Sequence, residues 1–476
     1  MKPNLIGGEW VSSTTARRNE NPSDLADSVG EYAQADASQA RAAIEAAEAA
    51  QRTWALSDVQ HRANCLDMIG AELLAKATDL GTLLSREEGK TLSEGIAEIQ
   101  RAGRIFKFFA GEALRLRGDK LPSVRTGVEV EVSREPIGVI GVITPWNFPA
   151  AIPAWKIAPA LCYGNSVVFK PADLVPGSAW ALAEIISRSG VPPGVFNLVM
   201  GRGSVVGEEL VNSSRVAGIS FTGSVGTGRR LIGKATARLA KIQVEMGGKN
   251  PLIVLNDADL AVAVSCAIDG AYYSTGQRCT ASSRIIVEKG ILQPFIEALA
   301  KALQEVRVGH ALDPQTQIGP VVDREQLASN LEYVEVGKQE GATLLCGGER
   351  IRRKTEGYYM SPALFVDVLP SMRIAQEEIF GPVACVIAAD SYEHALELAN
   401  DSPLGLSAGI CTTSLRKAAH FKRHMKSGMV MVNVPTAGVD YHVPFGGTKG
   451  SSYGAREQGS YAAEFFTTIK TAYLKP

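Results

Sequence analysis

Apolar residues recur at helical spacing over residues 36–116, as in ASQARAAIEAAEAAQRTWA, which predicts a helical segment. From EVEVSREPIGVIGVITPWNFP onward they alternate with polar residues and many are β-branched, which predicts strands. Further strands are predicted at NSVVFKPA, GVFNLVMG, VAGISFTGS and KIQVEMGGKNPLIVL, with helical patterns between them. This order of βα units predicts an α/β fold with a doubly wound parallel sheet.

A second α/β block is predicted over residues 250–450, and the last stretch, EFFTTIKTAYLKP, alternates like a terminal strand. The open edge of such a strand often pairs with another segment or another subunit. A chain of 476 residues has room for two or three domains, each with its own core.

Charge and cysteine content indicate which partners, which compartment and which bound groups to expect. The formal net charge is -1, from 49 basic and 50 acidic residues, so no global field favours nucleic acid or an anionic membrane. Seven cysteines without metal-ligand spacing indicate a reducing compartment, no disulfide framework and no bound metal. The start lacks an apolar signal region and no run of about 18 apolar residues occurs, so we expect a cytoplasmic protein.

Two motifs are candidates for cofactor binding. FTGSVGTGRRL places Gly223 and Gly228 between a strand and a helix, where a backbone can approach a pyrophosphate, although a structural turn explains them equally. In SVVFKPAD, Lys170 ends a buried strand and could bind a ribose together with Asp173; the alternative is a surface lysine before a helix.

Three further residues are candidates for catalysis. Glu245 lies in an apolar run before two glycines, as either an ion-pair partner or a base with a raised pKa. Cys279, in STGQRCTASSR, could lie at a helix start that favours a thiolate, or be an inert buried cysteine. Asn147, in PWNFP, could donate to an oxyanion or be structural.

Taken together, the motifs resemble those of the aldehyde dehydrogenase superfamily. PWNFP, FTGS, VEMGGKNP, GQRC, EEIFGPV and PFGG follow one another in the family order, and the similarity extends from NLIGGEWV to the tail. The resemblance implies that Cys279 attacks the aldehyde and that Asn147 and the Cys279 backbone N–H hold the oxyanion. It also implies that Glu245 activates the water that hydrolyses the thioester, with Lys156 and Glu457 relaying protons.

The resemblance extends to the cofactor, NAD or NADP. Glu378 and Phe380, in EEIFGPV, match the family residues that hold the nicotinamide ribose and ring. Ser224 and Trp146 match positions that line the cofactor site.

The family fold implies three parts. A Rossmann-like cofactor domain would comprise residues 1–117 and 137–247, and an α/β catalytic domain residues 248–452. A small β bridging element would comprise residues 118–136 and 453–476, and its terminal strand would join a neighbouring subunit in a homodimer or homotetramer.

The tail is most similar to that of α-ketoglutaric semialdehyde (2,5-dioxopentanoate) dehydrogenases, which serve sugar-acid and hydroxyproline breakdown. Succinic semialdehyde dehydrogenases place an arginine where this chain has Tyr273, so a substrate carboxylate would need another cation. Arg101 and Arg104 share a helix face that, in the family fold, flanks the substrate tunnel; two solvated arginines are the alternative.

The sequence leaves two other functions open. Trp155 and Tyr441, near the expected tunnel, would suit a broad-range or aromatic aldehyde dehydrogenase. A non-catalytic structural protein, like the lens crystallins of this fold, is the other alternative, although the chain retains Cys279 and Glu245.

Overall fold

The computed structural model describes residues 1–476 as a mixture of helices and mostly parallel strands. The helices are α1 (Ala37–Ala55), α2 (Val59–Ala75), α3 (Ala77–Glu88), α4 (Leu92–Ala113), α5 (Ala151–Cys162), α6 (Pro176–Ser187), α7 (Glu208–Asn212), α8 (Val225–Ala237), α9 (Leu260–Tyr272), α10 (Lys289–Glu305), α11 (Arg324–Gln339), α12 (Arg373–Gln376), α13 (Tyr392–Asn400), α14 (Leu415–His424) and α15 (Ala463–Phe466).

The strands are β1 (Asn4–Ile6), β2 (Glu9–Val11), β3 (Thr15–Asn21), β4 (Asp24–Gln34), β5 (Asp119–Pro122), β6 (Glu129–Pro136), β7 (Val139–Ile143), β8 (Ser166–Lys170), β9 (Phe196–Leu198), β10 (Val216–Thr222), β11 (Lys241–Glu245), β12 (Pro251–Val254), β13 (Arg284–Glu288), β14 (Thr343–Cys346), β15 (Ala363–Val366), β16 (Val383–Ala389), β17 (Leu404–Gly405), β18 (Ser407–Cys411), β19 (Met429–Val432), β20 (Thr448–Lys449), β21 (Ser452–Tyr453) and β22 (Thr467–Leu474).

The first large sheet has eight strands in the order β2-β1-β9-β8-β7-β10-β11-β21. Its five middle strands, β9 to β11 in that order, are parallel, whereas β1, β2 and β21 join antiparallel. The chain passes from β7 to β8 and β9 on one side, then returns to β10 and β11 on the other side of β7. The predicted doubly wound parallel sheet is confirmed, and its topological switch point lies between β7 and β10.

The second large sheet has seven strands in the order β14-β15-β16-β13-β12-β18-β19, and all its pairs except β14–β15 are parallel. The sequence predicted one strand over residues 241–255, which is wrong. That segment is divided between β11 in the first sheet and β12 in the second, and residues 246–250 cross from one sheet to the other. Both halves are apolar enough for a buried strand, so the pattern alone does not reveal the break.

A third, three-stranded sheet has the order β22-β6-β5. The predicted terminal strand is present as β22, which pairs antiparallel with β6 of its own chain along its whole length. The other edge of β22 pairs with no strand of this chain, so its docking onto a second subunit stays a prediction, as do the domain bounds. No helix combines the length and apolarity needed to cross a membrane.

Candidate active site

Four motifs meet at the carboxyl edge of the first sheet. β7 leads into Trp146 and Asn147, β8 ends at Lys170, β10 is followed by Ser224, and β11 ends at Glu245. Because parallel strands end at the same edge, residues far apart in sequence become neighbours there. The β7 and β10 ends flank the switch point, which is where ligands bind in open α/β sheets.

Cys279 reaches this site on a loop that leads into the second sheet. It lies in the loop between α9 and β13, after a short 3₁₀ turn over Tyr273–Gly276 in which Ser274 and Thr275 have φ of 51° and 57°. The expectation of a helix start is therefore wrong: Cys279 follows a helix and receives no stabilisation from a helix N-terminus. A sequence of small polar residues does not distinguish these two placements.

The thiol of Cys279 is half-buried and lies near two carboxyl groups. Burial raises its pKa to about 12, and Glu378 and Glu245 raise it in the same direction because a thiolate beside carboxylates is repelled. The thiol is therefore protonated at neutral pH, and a base would have to accept its proton to form the thiolate.

Asn250 and the paired glycines hold the Cys279 loop in place. The Asn250 side chain donates to the carbonyl oxygen of Cys279 at 2.8 Å and to that of Ala281 at 3.0 Å. A Cβ on Gly248 would lie 2.8 Å from the Cys279 carbonyl oxygen, and one on Gly247 would lie 2.0 Å from Glu378 Oε2. The sequence did not single out Asn250, because the segment that contains it was predicted as one continuous strand.

The buried side chain of Asn147 faces the Cys279 loop. Its Nδ2 donates to the carbonyl oxygen of Gln277 at 3.0 Å, two residues before the cysteine. The side-chain amide therefore lies beside the Cys279 loop, with one N–H in that bond and a second N–H left to donate.

Glu245 is a buried carboxyl group that accepts a hydrogen bond from Ser452 Oγ at 2.5 Å. Burial, followed by the charge of Glu457, raises its pKa well above the ordinary value, and Lys156 opposes this shift. Lys156 and Glu457 form a fully buried ion pair, and Lys156 also donates to Ser220 Oγ at 3.0 Å. Glu245 and the Lys156–Glu457 pair are therefore buried near one another, and Lys156 also binds Ser220 of β10.

Helix α8 begins at the end of β10 with Ser224 as its N-cap, and the Ser224 hydroxyl accepts from the Thr227 N–H. A Cβ on Gly223 would lie 2.5 Å from the Phe221 ring, and one on Gly228 would lie 2.3 Å from Met246 Sδ, so both are packing glycines. Gly226 has no atom within 4 Å of that position, so the helix start is open for a ligand.

Lys170 and Asp173 are neighbours at the end of β8. Lys170 Nζ lies 3.4 Å from Asp173 Oδ1 and donates to the Pro171 carbonyl at 2.7 Å. Burial lowers the pKa of Lys170, an effect that Asp173 opposes. A cation and an anion are thus both present at the end of β8, at the sheet edge from which α8 also starts, with β7 between the two strands.

Glu378 and Phe380 follow α12 and contact Gly248 and Trp146, respectively. Glu378 Oε1 accepts from the Gly248 N–H at 3.0 Å, and burial raises the pKa of Glu378 to about 7. Phe380 has φ of 59° and meets Trp146 edge to face, with ring centroids 5.3 Å apart.

A cavity of about 500 Å³ opens beside Cys279, and Arg101, Arg104, Trp155 and Tyr441 all line it. Arg101 is bound within the protein: it donates to the Val439 carbonyl and to Gln458 Oε1. Arg104 is exposed, and it forms no ion pair with the chain.

The remaining cavity walls include residues that the sequence did not suggest. Trp155 stacks on Phe445 with centroids 5.3 Å apart. Arg278 also lines the cavity but is paired with Glu94 and Asp269. Tyr273 lines a separate apolar depression with α9 and α10 and not the wall beside Cys279.

The comparisons with known proteins agree with this geometry. The aldehyde dehydrogenase family model matches residues 10–472. The chain is 44% identical to the α-ketoglutaric semialdehyde dehydrogenase of Bacillus subtilis (strain 168), over 99% of this chain and 98% of that protein. It is 40% identical to the α-ketoglutarate semialdehyde dehydrogenase of Haloferax volcanii, again over 99% and 98%.

Its fold superposes on the betaine aldehyde dehydrogenase of Staphylococcus aureus, solved with NAD+, with a TM-score of 0.97. That pair shares 33% identity over 100% of this chain and 95% of the other. The chain belongs to the aldehyde dehydrogenase family.

Proposed function

We propose that the protein oxidises an aldehyde to a carboxylic acid through a thioester on Cys279, with Glu245 as base. The observation that carries this mechanism is the half-buried Cys279 at the wall of a cavity of about 500 Å³, with the buried Glu245 carboxyl near enough to raise the pKa of the thiol. Glu245 takes the thiol proton, and the sulfur forms a bond to the aldehyde carbon. The carbonyl electrons move to the oxygen, which accepts hydrogen bonds from the second Asn147 N–H and the Cys279 backbone N–H.

The oxygen then re-forms its double bond to carbon as the C–H bond breaks and a hydride leaves. When bound, oxidised NAD or NADP supplies the acceptor for this hydride. Glu245 returns its proton through the Lys156–Glu457 pair and then removes a proton from water, which attacks the thioester and releases the acid. A carboxyl group with a raised pKa suits this role because its carboxylate form is a stronger base than an ordinary one.

The residues at the sheet edge fit a dinucleotide. The open start of α8, with Ser224 as its cap, offers N–H groups to a pyrophosphate, and Lys170 with Asp173 would hold the adenosine ribose. Trp146, Phe380 and the Glu378 carboxylate would hold the nicotinamide end beside Cys279.

α-Ketoglutaric semialdehyde is the proposed substrate, and 2-oxoglutarate its product. Two relatives at 44% and 40% identity carry that activity in their names. Arg104 supports the proposal, because its guanidinium is free on the cavity wall and matches a substrate carboxylate. Arg101 adds positive charge, although its donors are already engaged. Trp155 and Phe445 favour the alternative of a broad-range or aromatic aldehyde.

A substrate panel tests this choice. We expect kcat/KM to fall from α-ketoglutaric semialdehyde to glutaric semialdehyde, pentanal and benzaldehyde in that order. Arg104→Met should lower kcat/KM for the two carboxylated aldehydes by about 10- to 100-fold, the value of a charge-assisted hydrogen bond, and leave pentanal unchanged. Lys107→Met, on the same helix but paired with Asp67 outside the cavity, is the matched control. Equal losses on pentanal, or a preference for benzaldehyde, would contradict the assignment.

The location, oligomeric state and domain bounds of the protein are also proposals. We propose a cytoplasmic homodimer or homotetramer in sugar-acid catabolism, joined through the free edge of β22, which a measured molecular mass tests. The division at residues 117, 136, 247 and 452 is likewise a proposal. A non-catalytic structural role would be supported only if the purified protein produced no NAD(P)H with any aldehyde of the panel.

A further inference from the structure

The first turns of α4 contact two segments of the site: the one that follows Asn147 and the one that precedes Cys279. Thr91 caps the helix, and the Glu94 side chain reaches back to the Thr91 backbone N–H in a reciprocal capping box. Glu94 and Glu98 are four residues apart and therefore project from the same face of the helix. Neither carboxylate has a role in the mechanism proposed for this site.

Glu98 holds the start of α5, the helix that follows Asn147. Its Oε1 accepts from the backbone N–H groups of Ala150 and Ala151 at 2.9 and 3.1 Å. These N–H groups belong to the first turn of α5, where no intrahelical partner exists and negative charge is favoured. The other oxygen of Glu98 accepts from Lys90 Nζ at 2.7 Å, and both side chains are almost completely buried.

Lys90 continues this connection to Asn147 itself. Its Nζ donates to the Asn147 backbone carbonyl at 2.8 Å and lies 3.9 Å from the centroid of the Phe148 ring. The Lys90–Glu98 ion pair therefore binds both ends of the segment from Asn147 to Ala151, Lys90 at its first carbonyl and Glu98 at its last N–H groups. These hydrogen bonds fix the backbone from which the Asn147 amide projects.

Glu94 makes the equivalent contacts to the nucleophile segment. Its Oε1 accepts from the Ser274 N–H at 2.9 Å and the Ser274 hydroxyl at 2.7 Å, and it pairs with Arg278 at 3.2 Å. Ser274 has a left-handed backbone, which is unfavourable without such support. Arg278 directly precedes Cys279.

We propose that Lys90 and Glu98 are positioning residues that place the Asn147 amide over the nucleophile, while Glu94 places the Cys279 loop from the same helix face. The inference rests on the proposed role of Asn147 as oxyanion donor. A core ion pair by itself is weak evidence of a stabilising role, because apolar residues often stabilise a core equally well. Here, however, the two acidic side chains contact backbone atoms of the two segments that must meet across the substrate carbonyl.

A double-mutant cycle on the first turnover tests the proposal. The variants are Glu98→Gln, Asn147→Ala and their combination, and the readout is the rate constant of the NAD(P)H burst. Glutamine keeps an acceptor for the start of α5 but removes the charge that holds Lys90. Lys107→Met, on the same helix, is the control for a lost ion pair.

We expect Asn147→Ala to slow the burst by about 10²- to 10³-fold, the usual effect of losing one oxyanion donor. Glu98→Gln should slow it about 10- to 100-fold with KM and cofactor affinity unchanged, because a displaced amide binds the transition state less well. In the Asn147→Ala background, Glu98→Gln should have less than about a threefold further effect.

The possible outcomes separate the two claims. A normal burst in Asn147→Ala would overturn the oxyanion role and the inference with it. A slow burst in Asn147→Ala combined with additive effects of Glu98→Gln would overturn the inference alone. If Glu98→Gln does not fold, the charge-neutral pair Lys90→Met/Glu98→Gln replaces it in the cycle. Failure of both to fold would make the ion pair a structural element and also refute the positioning role.

Discussion

The reactivity of Cys279 in the free protein gives the sharpest test of the site. With a pKa of about 12, the thiol is ionised to about one part in 10⁴ at pH 8, whereas a thiol at the ordinary 9.0 is ionised to about one part in ten. The rarer thiolate is intrinsically more nucleophilic, which recovers about 20-fold. Alkylation should therefore be about 50-fold slower than that of an unperturbed cysteine.

Iodoacetamide labelling between pH 7 and 10.5, followed by mass spectrometry of the Cys279 peptide, measures this directly. We expect the logarithm of the rate to rise by one for each pH unit, without a plateau, because the thiolate stays the minor species throughout. Cys279→Ala supplies the background from the half-buried Cys346. A plateau with a midpoint at or below pH 8 would refute the claim that the site keeps the thiol protonated.

Glu378→Gln tests the cause of the shift. Glu378 has a pKa of about 7, so it is ionised above pH 7 and there opposes formation of the thiolate. The variant should label faster than the wild type above pH 7 and at the wild-type rate well below it. Equal rates over the whole range would mean that burial alone sets the pKa of Cys279.

Three further outcomes follow from the proposed mechanism. Cys279→Ala should abolish turnover but leave the fold and cofactor binding intact, as circular dichroism and cofactor titration would show; more than trace turnover would contradict the thioester route. Glu245→Gln should slow both the first turnover and the later hydrolysis, since the carboxyl takes the thiol proton first and a water proton after hydride transfer; a normal burst of about one NAD(P)H per active site followed by slow turnover would limit Glu245 to water activation. Asp173→Ser should move the ratio of kcat/KM towards NADP by about tenfold, because a contact of about 1.4 kcal/mol between like charges is removed; an unchanged ratio would show that Asp173 does not face the ribose.

The parallel sheets were predictable because buried strands and amphipathic helices leave periodic apolar patterns. The hairpin of β3 and β4 was not, because Thr15–Asn21 is mostly polar and exposed and so lacks such a pattern. The break after Glu245 was missed for the opposite reason, since apolar residues continue on both sides of it.

The burial of charged residues next to the site could also not be predicted from the sequence. In EEGK, a run typical of a solvated helix end, Glu87, Glu88 and Lys90 are all buried, with 1%, 1% and 2% of their surface exposed. Their partners lie in other elements: Glu98 of the next helix, α4, pairs with Lys90, and the distant start of α6 donates to Glu87. Periodicity carries no information about such pairings, so the burial of these charges emerges only from the tertiary structure.

One physical cause, burial, explains the state of three groups around the reaction centre. Burial raises the pKa of Cys279, Glu245 and Glu378 alike, so the site contains a neutral thiol beside carboxyl groups that hold protons more tightly than in water. A thiol with a high pKa is a poor nucleophile at rest, which protects it from stray electrophiles. A carboxylate with a high pKa is correspondingly a stronger base, so the burial that suppresses the thiolate also strengthens Glu245 as the base of the proposed mechanism. In the proposed mechanism Glu245 must lose its proton before it can activate water, so deacylation should depend on the Lys156–Glu457 pair, which is buried and joins α5 to the segment after β21.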